Sequence, residues 1–194
     1  AIERDITEKK NQELEQNLLS KISQIFNEEK KLSKATQRLC AIFADYGDFD
    51  FVEVWIPNLE QSHIQLVSSY EYSPAGKEFY SYSASLKQLG IGEGQIGKVW
   101  ASKQAVVLDL NKQDCDFVRK EAANQAGIVT VLSIPLLFKD TLVGVLTFGS
   151  SKKASQLHYY LNIFKRLETF IGSEINRKSL ETDLIHLFKA IPDI

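Results

Sequence analysis

Ile128-Val-Thr-Val-Leu-Ser-Ile-Pro-Leu-Leu-Phe138 is followed, across Lys139-Asp140, by Thr141-Leu-Val-Gly-Val-Leu-Thr-Phe-Gly149. Two aliphatic and β-branched runs joined by a two-residue polar break predict a β-hairpin. Runs this apolar also predict strands covered on both faces. The few polar positions therefore stand out: Ser133 alternates with Leu132 and Ile134, and Thr147 with Leu146 and Phe148. Upstream lie a helix over Asp116–Ala126 ended by Gly127, a strand at Ala105–Leu110 and a short helix at Gln95–Ser102. That helix follows a cluster of Gly90, Gly92, Gly94 and Gly97. Tyr72–Leu89 reads as loop with a little helix. Phe51–Ile56 and His63–Glu71, separated by Pro57-Asn58, predict a second hairpin. Hairpins mixed with local helices, without regular βαβ alternation, give an α+β class.

Residues 1–46 contain neither glycine nor proline, and Leu18, Ile25, Leu32 and Leu39 recur seven apart, with Ile22 between. A narrow apolar seam on a polar helix predicts a coiled coil for residues 8–29. Residues 30–46 read equally well as a helix on the domain's own core. Gly47 ends this helix, and helical spacing returns from Ser155 to about Lys189 through Leu157, Leu161, Phe164, Leu167, Ile171, Ile175, Leu180, Leu184 and Leu187.

The 194 residues are 44% hydrophobic and 25% charged, as in globular proteins. Their 23 basic and 25 acidic side chains leave a net charge of −2, which argues against nucleic acid as a partner. No apolar run approaches the roughly 18–20 residues that span a bilayer. Cys40 and Cys115 are far apart and outside any CxxC pattern. With His63, His158 and His186 they form no metal-ligand spacing, which excludes a clustered zinc site and a disulfide framework and predicts a cytoplasmic location. The chain opens on Ala1 and has no methionine, so a piece of a longer protein is expected.

The order Gly92-x-Gly94-x-x-Gly97-x-Val99, Ala105-Val-Val-Leu-Asp109, a helix, Gly127-Ile128, Ser133-Ile-Pro135-Leu and Val143-Gly-Val-Leu resembles the GAF domain. The resemblance implies an antiparallel sheet with helices on both faces, flanked by long N- and C-terminal signalling helices. Arg4-Asp5-Ile6-Thr7-Glu8-Lys9-Lys10 resembles the closing strand of a PAS domain, and Leu187–Ile194 the opening of another. The expected organisation is then residues 1–29 as the end of a PAS-like segment with its signalling helix, 30–175 as GAF domain, and 176–194 as signalling helix and the start of a PAS-like domain. Such arrays imply a sensor histidine kinase context. The expected function is a regulatory module that binds a small molecule and relays its state through a homodimer's terminal helices to an output kinase. The alternative is a ligand-free dimerisation and relay spacer.

Alternation places Phe51, Glu53 and Trp55 on one face of the first strand and Val52, Val54 and Ile56 on the other. The resemblance implies a ligand cavity on one sheet face, with Glu53, Trp55, Ser133 and Thr147 toward it. An unpaired buried carboxylate is costly, so Glu53 needs a partner, a ligand or solvent. The plainer alternative has Glu53 solvated at a sheet edge and the two hydroxyls bonded to nearby backbone. Tyr70, Trp100 and Phe117 are expected to wall the cavity or simply to pack as core. Asp109 is either a cap for the next segment or a polar contact. Tyr72, Tyr80 and Tyr82, among serines, suggest a lid or a solvated loop.

Gly92-Glu-Gly-Gln-Ile-Gly97 fits the dinucleotide fingerprint formally. It lacks the preceding buried strand, the full helix and the acidic residue at the right spacing. Its glycines are expected to provide positive φ, or its backbone N–H groups to meet an anion. Bilin-binding members carry a Cys-His pair on the helix before the Gly-Ile strand. Here that helix reads Phe117-Val-Arg-Lys-Glu, and Cys115 is followed by Asp116. The cyclic-nucleotide signature is expected after the last strand, where Gly149-Ser-Ser-Lys-Lys stands instead. The cofactor is therefore unknown. One lineage reduces free methionine sulfoxide with closely placed cysteines. Cys115 lies between Asp114 and Asp116, which oppose thiolate formation, so no catalytic residue is assigned.

Overall fold

The computed structural model describes residues 2–83 and 85–190. The strands are β1 (Phe51–Pro57), β2 (Ile64–Glu71), β3 (Gln88–Leu89), β4 (Val106–Asp109), β5 (Thr130–Phe138) and β6 (Thr141–Ser150). They form one six-stranded antiparallel sheet in the order β3-β2-β1-β6-β5-β4. Both predicted hairpins form, and β1 pairs with β6 to join them. The helices are α1 (Ile2–Glu28), α2 (Leu32–Gly47), α3 (Pro74–Ser83), α4 (Gly94–Ser102), α5 (Lys120–Gln125) and α6 (Ala154–Ala190).

Helices cover both faces. Against α1, α2 and α6 the sheet buries Val52, Val54, Leu132, Ile134, Leu146 and Phe148. Ring contacts run through this largely aliphatic core: Phe43 meets Phe164 edge-on at 4.9 Å, and Phe148 stacks on Phe164 at 4.7 Å. The alternate residues face α3, α4 and α5, where Phe51 and Val131 pack with Phe79, Ala123 and Phe117, and Trp55 and Val145 pack with Ile96, Val99 and Trp100. In β1, and over most of β5 and β6, even-numbered residues therefore face the terminal helices and odd-numbered ones face α3, α4 and α5.

The expected continuous N-terminal helix is two. It breaks at Glu29–Lys31, where Lys31 is extended and Arg38 of α2 reaches Glu28 and Glu29 at 2.8 and 2.9 Å. A run of charged residues needs no glycine to become a corner once both helices have apolar faces to bury. The seam expected to form a coiled coil finds its partner inside the chain. Leu18, Ile22, Ile25 and Phe26 share a core with Leu167, Ile171 and Ile175 of α6, and Arg166 binds Glu15 at 2.9 Å. Arg4–Thr7, expected as the end of a strand, lies within α1, having no strand to pair with among the described residues. Ile191–Ile194, part of the second PAS-like segment, lie outside the described residues.

Two other boundaries differ. Tyr72–Leu89 holds a full helix, α3, started by Pro74 and by Ser73, whose Oγ accepts the Gly76 N–H at 3.1 Å. The expected helix over Asp116–Ala126 is only α5, because Asp116–Arg119 is turn and irregular backbone. Gly172 of α6 lies so close to β5 that a Cβ there would stand 2.1 Å from the Leu137 carbonyl oxygen. This glycine sets the contact distance between the longest helix and the sheet.

Candidate functional site

Strand register builds a polar row across the sheet. Ser69 of β2 stands opposite Glu53 of β1, Glu53 opposite Thr147 of β6, and Thr147 opposite Ser133 of β5. Glu53 is fully buried, on a central strand rather than an edge. Its partner is Arg119, the residue just before α5. Nη1 donates to Glu53 Oε1 and Nη2 to Oε2, both at 2.7 Å, in a planar fork. Trp55 Nε1 donates to Oε2 at 2.8 Å, and the Tyr80 hydroxyl of α3 donates to Oε1. The guanidinium carbon sits 4.8 Å from the Phe79 ring centroid, 5.5 Å from Phe117 and 5.7 Å from Trp55. A cation thus lies on a carboxylate floor within aromatic walls.

Burial alone would raise the Glu53 pKa. The charge of Arg119 and the hydrogen bonds from Arg119, Tyr80 and Trp55 outweigh it and hold the carboxyl below its ordinary value. Burial would lower Arg119, and Glu53 reverses that. Burial first, then the Glu53 charge, pushes the Tyr80 hydroxyl well above its usual value. All three groups therefore keep their ordinary ionisation at neutral pH: carboxylate, guanidinium and neutral phenol.

Beside this cluster, Gln95 at the start of α4 donates from Nε2 to Ser133 Oγ at 2.8 Å, and Ser133 Oγ shares a 2.8 Å hydrogen bond with Thr147 Oγ1. Gln95 Oε1 is buried without a hydrogen-bond partner among the described residues. The two hydroxyls bond to side chains, not to nearby backbone. Gly92 and Gly94 have φ of +79° and +57°, so the glycine cluster serves its conformational role.

Of the expected site residues, Glu53, Trp55 and Phe117 surround the Arg119 guanidinium. Ser133 and Thr147 lie next to them, and Trp100 packs with Trp55 in the adjoining apolar cluster. Tyr70 is placed elsewhere. It stands opposite Val52, on the face toward the terminal helices, and is partly exposed. The cause is a β-bulge: Trp55 pairs with Leu66 but Val54 with Ser68, so Val67 is the extra residue and parity flips along β2. Asp109 caps the turn after β4, its Oδ1 accepting the Asn111 N–H at 3.1 Å. Arg119, Phe79 and Gln95 belong to this polar cluster without having been singled out by the sequence, and Tyr80 is a buried donor rather than a lid. One signal was present: Arg119 is the single arginine between Arg38 and Arg166, and Glu53 called for a cation.

The thiols fit nucleophilic chemistry poorly. Burial pushes both up, Cys40 far above its ordinary range, and they pack in different cores on opposite faces. Among the described residues no group of three or more His, Cys, Asp and Glu could hold a metal ion, and no helix is long and apolar enough to cross a membrane.

The family model GAF_2, described as GAF domain, matches residues 29–173. No curated protein matches the chain. Among solved structures, the GAF domain of A. aeolicus nlh2 in an inactive state superposes with a TM-score of 0.68 at 16% identity, covering 87% of this chain and 99% of that one. Free methionine-R-sulfoxide reductase from Neisseria meningitidis, in complex with its substrate, gives 0.67 at 15% identity, covering 86% and 91%. The GAF domain of a two-component sensor histidine kinase from Bacillus halodurans gives 0.55 at 18% identity, covering 68% and 84%. At such identities the likeness is one of fold.

Proposed function

The chain belongs to the GAF domain family, a regulatory and sensory fold found in signalling proteins, and from that premise we propose that it senses a small molecule and relays its state through α6 to an output domain. The observation that carries this is the sharing of strands between the two faces. Ser133 of the polar row and Leu132 and Ile134 of the helix-side core are neighbours on β5, the strand against which Gly172 fixes α6. A change on the polar face is then one strand's thickness from the helix that leaves the domain. Only a ligand with unequal affinity for two arrangements shifts them.

The relay is proposed to run through a homodimer. With α1 turned onto its own chain, the dimer contact falls to the far third of α6, where Leu180, Leu184 and Phe188 recur at four-residue steps and are each more than half exposed. An apolar stripe of that kind is what a paired helix would cover. Flanking PAS and kinase domains and a cytoplasmic setting complete the proposal. Sedimentation of the chain at high micromolar concentration is expected to give a dimer, and Leu180→Glu with Leu184→Glu a monomer. A monomeric parent would refute the relay.

The internally paired Glu53 favours a second reading, in which the domain is a ligand-free spacer. Native mass spectrometry of protein from its own host separates the two, since a retained small molecule supports sensing.

A further inference from the structure

We propose that the Glu53 carboxylate, walled by Trp55, Phe79 and Phe117, is a recognition site for a small molecule bearing a planar guanidinium or amidinium group, and that Arg119 is its tethered resident, displaced when that ligand binds. The inference rests on the small-molecule reading above and names its ligand class.

The floor of the site is complete without Arg119. Tyr80 and Trp55 each donate to one oxygen of Glu53 and hold the carboxylate facing the aromatic walls. The remaining acceptor directions are filled by two parallel N–H groups at 2.7 Å. A planar fork satisfies both, whereas an ammonium is a point charge that cannot present two parallel donors. Charge restricts the ligand further. Glu53 is fully buried, so a neutral or anionic molecule that removed Arg119 would leave an uncompensated carboxylate in the core. Exchanging one guanidinium for another leaves the buried charge unchanged.

Arg119 also has somewhere to go. It precedes a helix of 6 residues with no side-chain cap, and the backbone from Asn111 to Arg119 is turn and irregular structure. Arg119 also lies on the lining of an open cleft of about 720 Å³ between α3 and α5, with Tyr82, Leu86, Val118 and Glu121. In that cleft the displaced guanidinium finds water and the Glu121 carboxylate, and the ligand finds an entrance.

The test is chemical rescue. Methylguanidinium at about 20 mM is expected to raise the Tm of Arg119→Ala by about 4 °C. Methylammonium and sodium chloride at equal concentration should not, and neither should methylguanidinium on Glu53→Gln/Arg119→Ala. No rise, or an equal rise with methylammonium, overturns the proposal. Should Arg119→Ala fail to fold, arginine-labelled wild-type protein serves instead. Its Arg119 Nε–H resonance is expected to lose solvent protection as methylguanidinium is added, and an unchanged resonance overturns the proposal. Sedimentation of the same samples keeps the two ideas apart: failure of rescue in an intact dimer removes the cation site alone, whereas a monomer removes the relay.

Discussion

The two faces of the sheet are held by opposite kinds of chemistry. Toward α1, α2 and α6 the contacts are mostly apolar and aromatic, with Phe43, Phe49, Phe148, Tyr160 and Phe164 in a network of ring contacts and one neutral hydroxyl pair, Thr36–Ser68 at 2.6 Å. Toward α3, α4 and α5 a fully buried ion pair sits among the rings. Apolar packing is non-directional and tolerates repacking so long as volume is kept. A buried carboxylate tolerates no such loosening, since it needs a compensating cation in matching geometry at all times. One face therefore holds the terminal helices, and the other holds its arrangement around Glu53 as long as a matching cation sits on the carboxylate.

That contrast can be broken by substitution. The largest effects are expected from Arg119→Ala and from Phe164→Ala, each costing about 3–5 kcal/mol by urea denaturation, the first from a stranded carboxylate and the second from a cavity. The pairs should then diverge. Glu53→Leu with Arg119→Met is expected to regain part of the loss, because the pair's desolvation cost disappears with it while the Tyr80 and Trp55 donors lose their acceptor. Phe148→Ala with Phe164→Ala should regain nothing. If the two double variants behave alike, the two faces are held by the same kind of contact.

A middle-sized effect is expected at the join between helix and sheet. Gly172→Ala drives a methyl into the Leu137 carbonyl and should cost about 1–3 kcal/mol, read from the same denaturation curves. The smallest effect in the neutral range should come from acid. The folded-state pKa of Glu53 lies below its ordinary value, so its contribution is fully present above the ordinary carboxylate range and is lost only as pH falls through the lowered folded value. Urea midpoints of wild type and Glu53→Gln should therefore run parallel from pH 7 to about pH 5 and converge below it. Convergence already near neutrality would mean that the carboxylate is not held by Arg119.

The sequence carried the architecture well because the sheet strands are short, strongly patterned runs whose alternation is local. Phe51–Ile56, Thr130–Phe138 and Thr141–Gly149 could each be read without knowing their neighbours. Long-range facts were less legible. The Glu53–Arg119 pair joins residues 66 apart in the chain, and no local pattern links them. The break at Glu29–Lys31 follows from tertiary burial of both helices, with no glycine or proline to announce it. The bulge at Val67 is a single extra residue in an alternating run, and it sent Tyr70 to the other face. Tyr80 was hidden because a serine- and tyrosine-rich stretch reads as solvated loop until Ser73-Pro74 is recognised as a helix start.

The close seat of Gly172 on β5 also makes α6 a lever with its fulcrum inside the fold. About 27 Å of helix lies between that residue and Ala190 at 1.5 Å per residue, so a tilt of about 5° there sweeps the far end through roughly 2 Å. Under the proposed relay, a rearrangement too small to disturb the packing of the sheet would arrive at the tip magnified to the size of a side-chain register step.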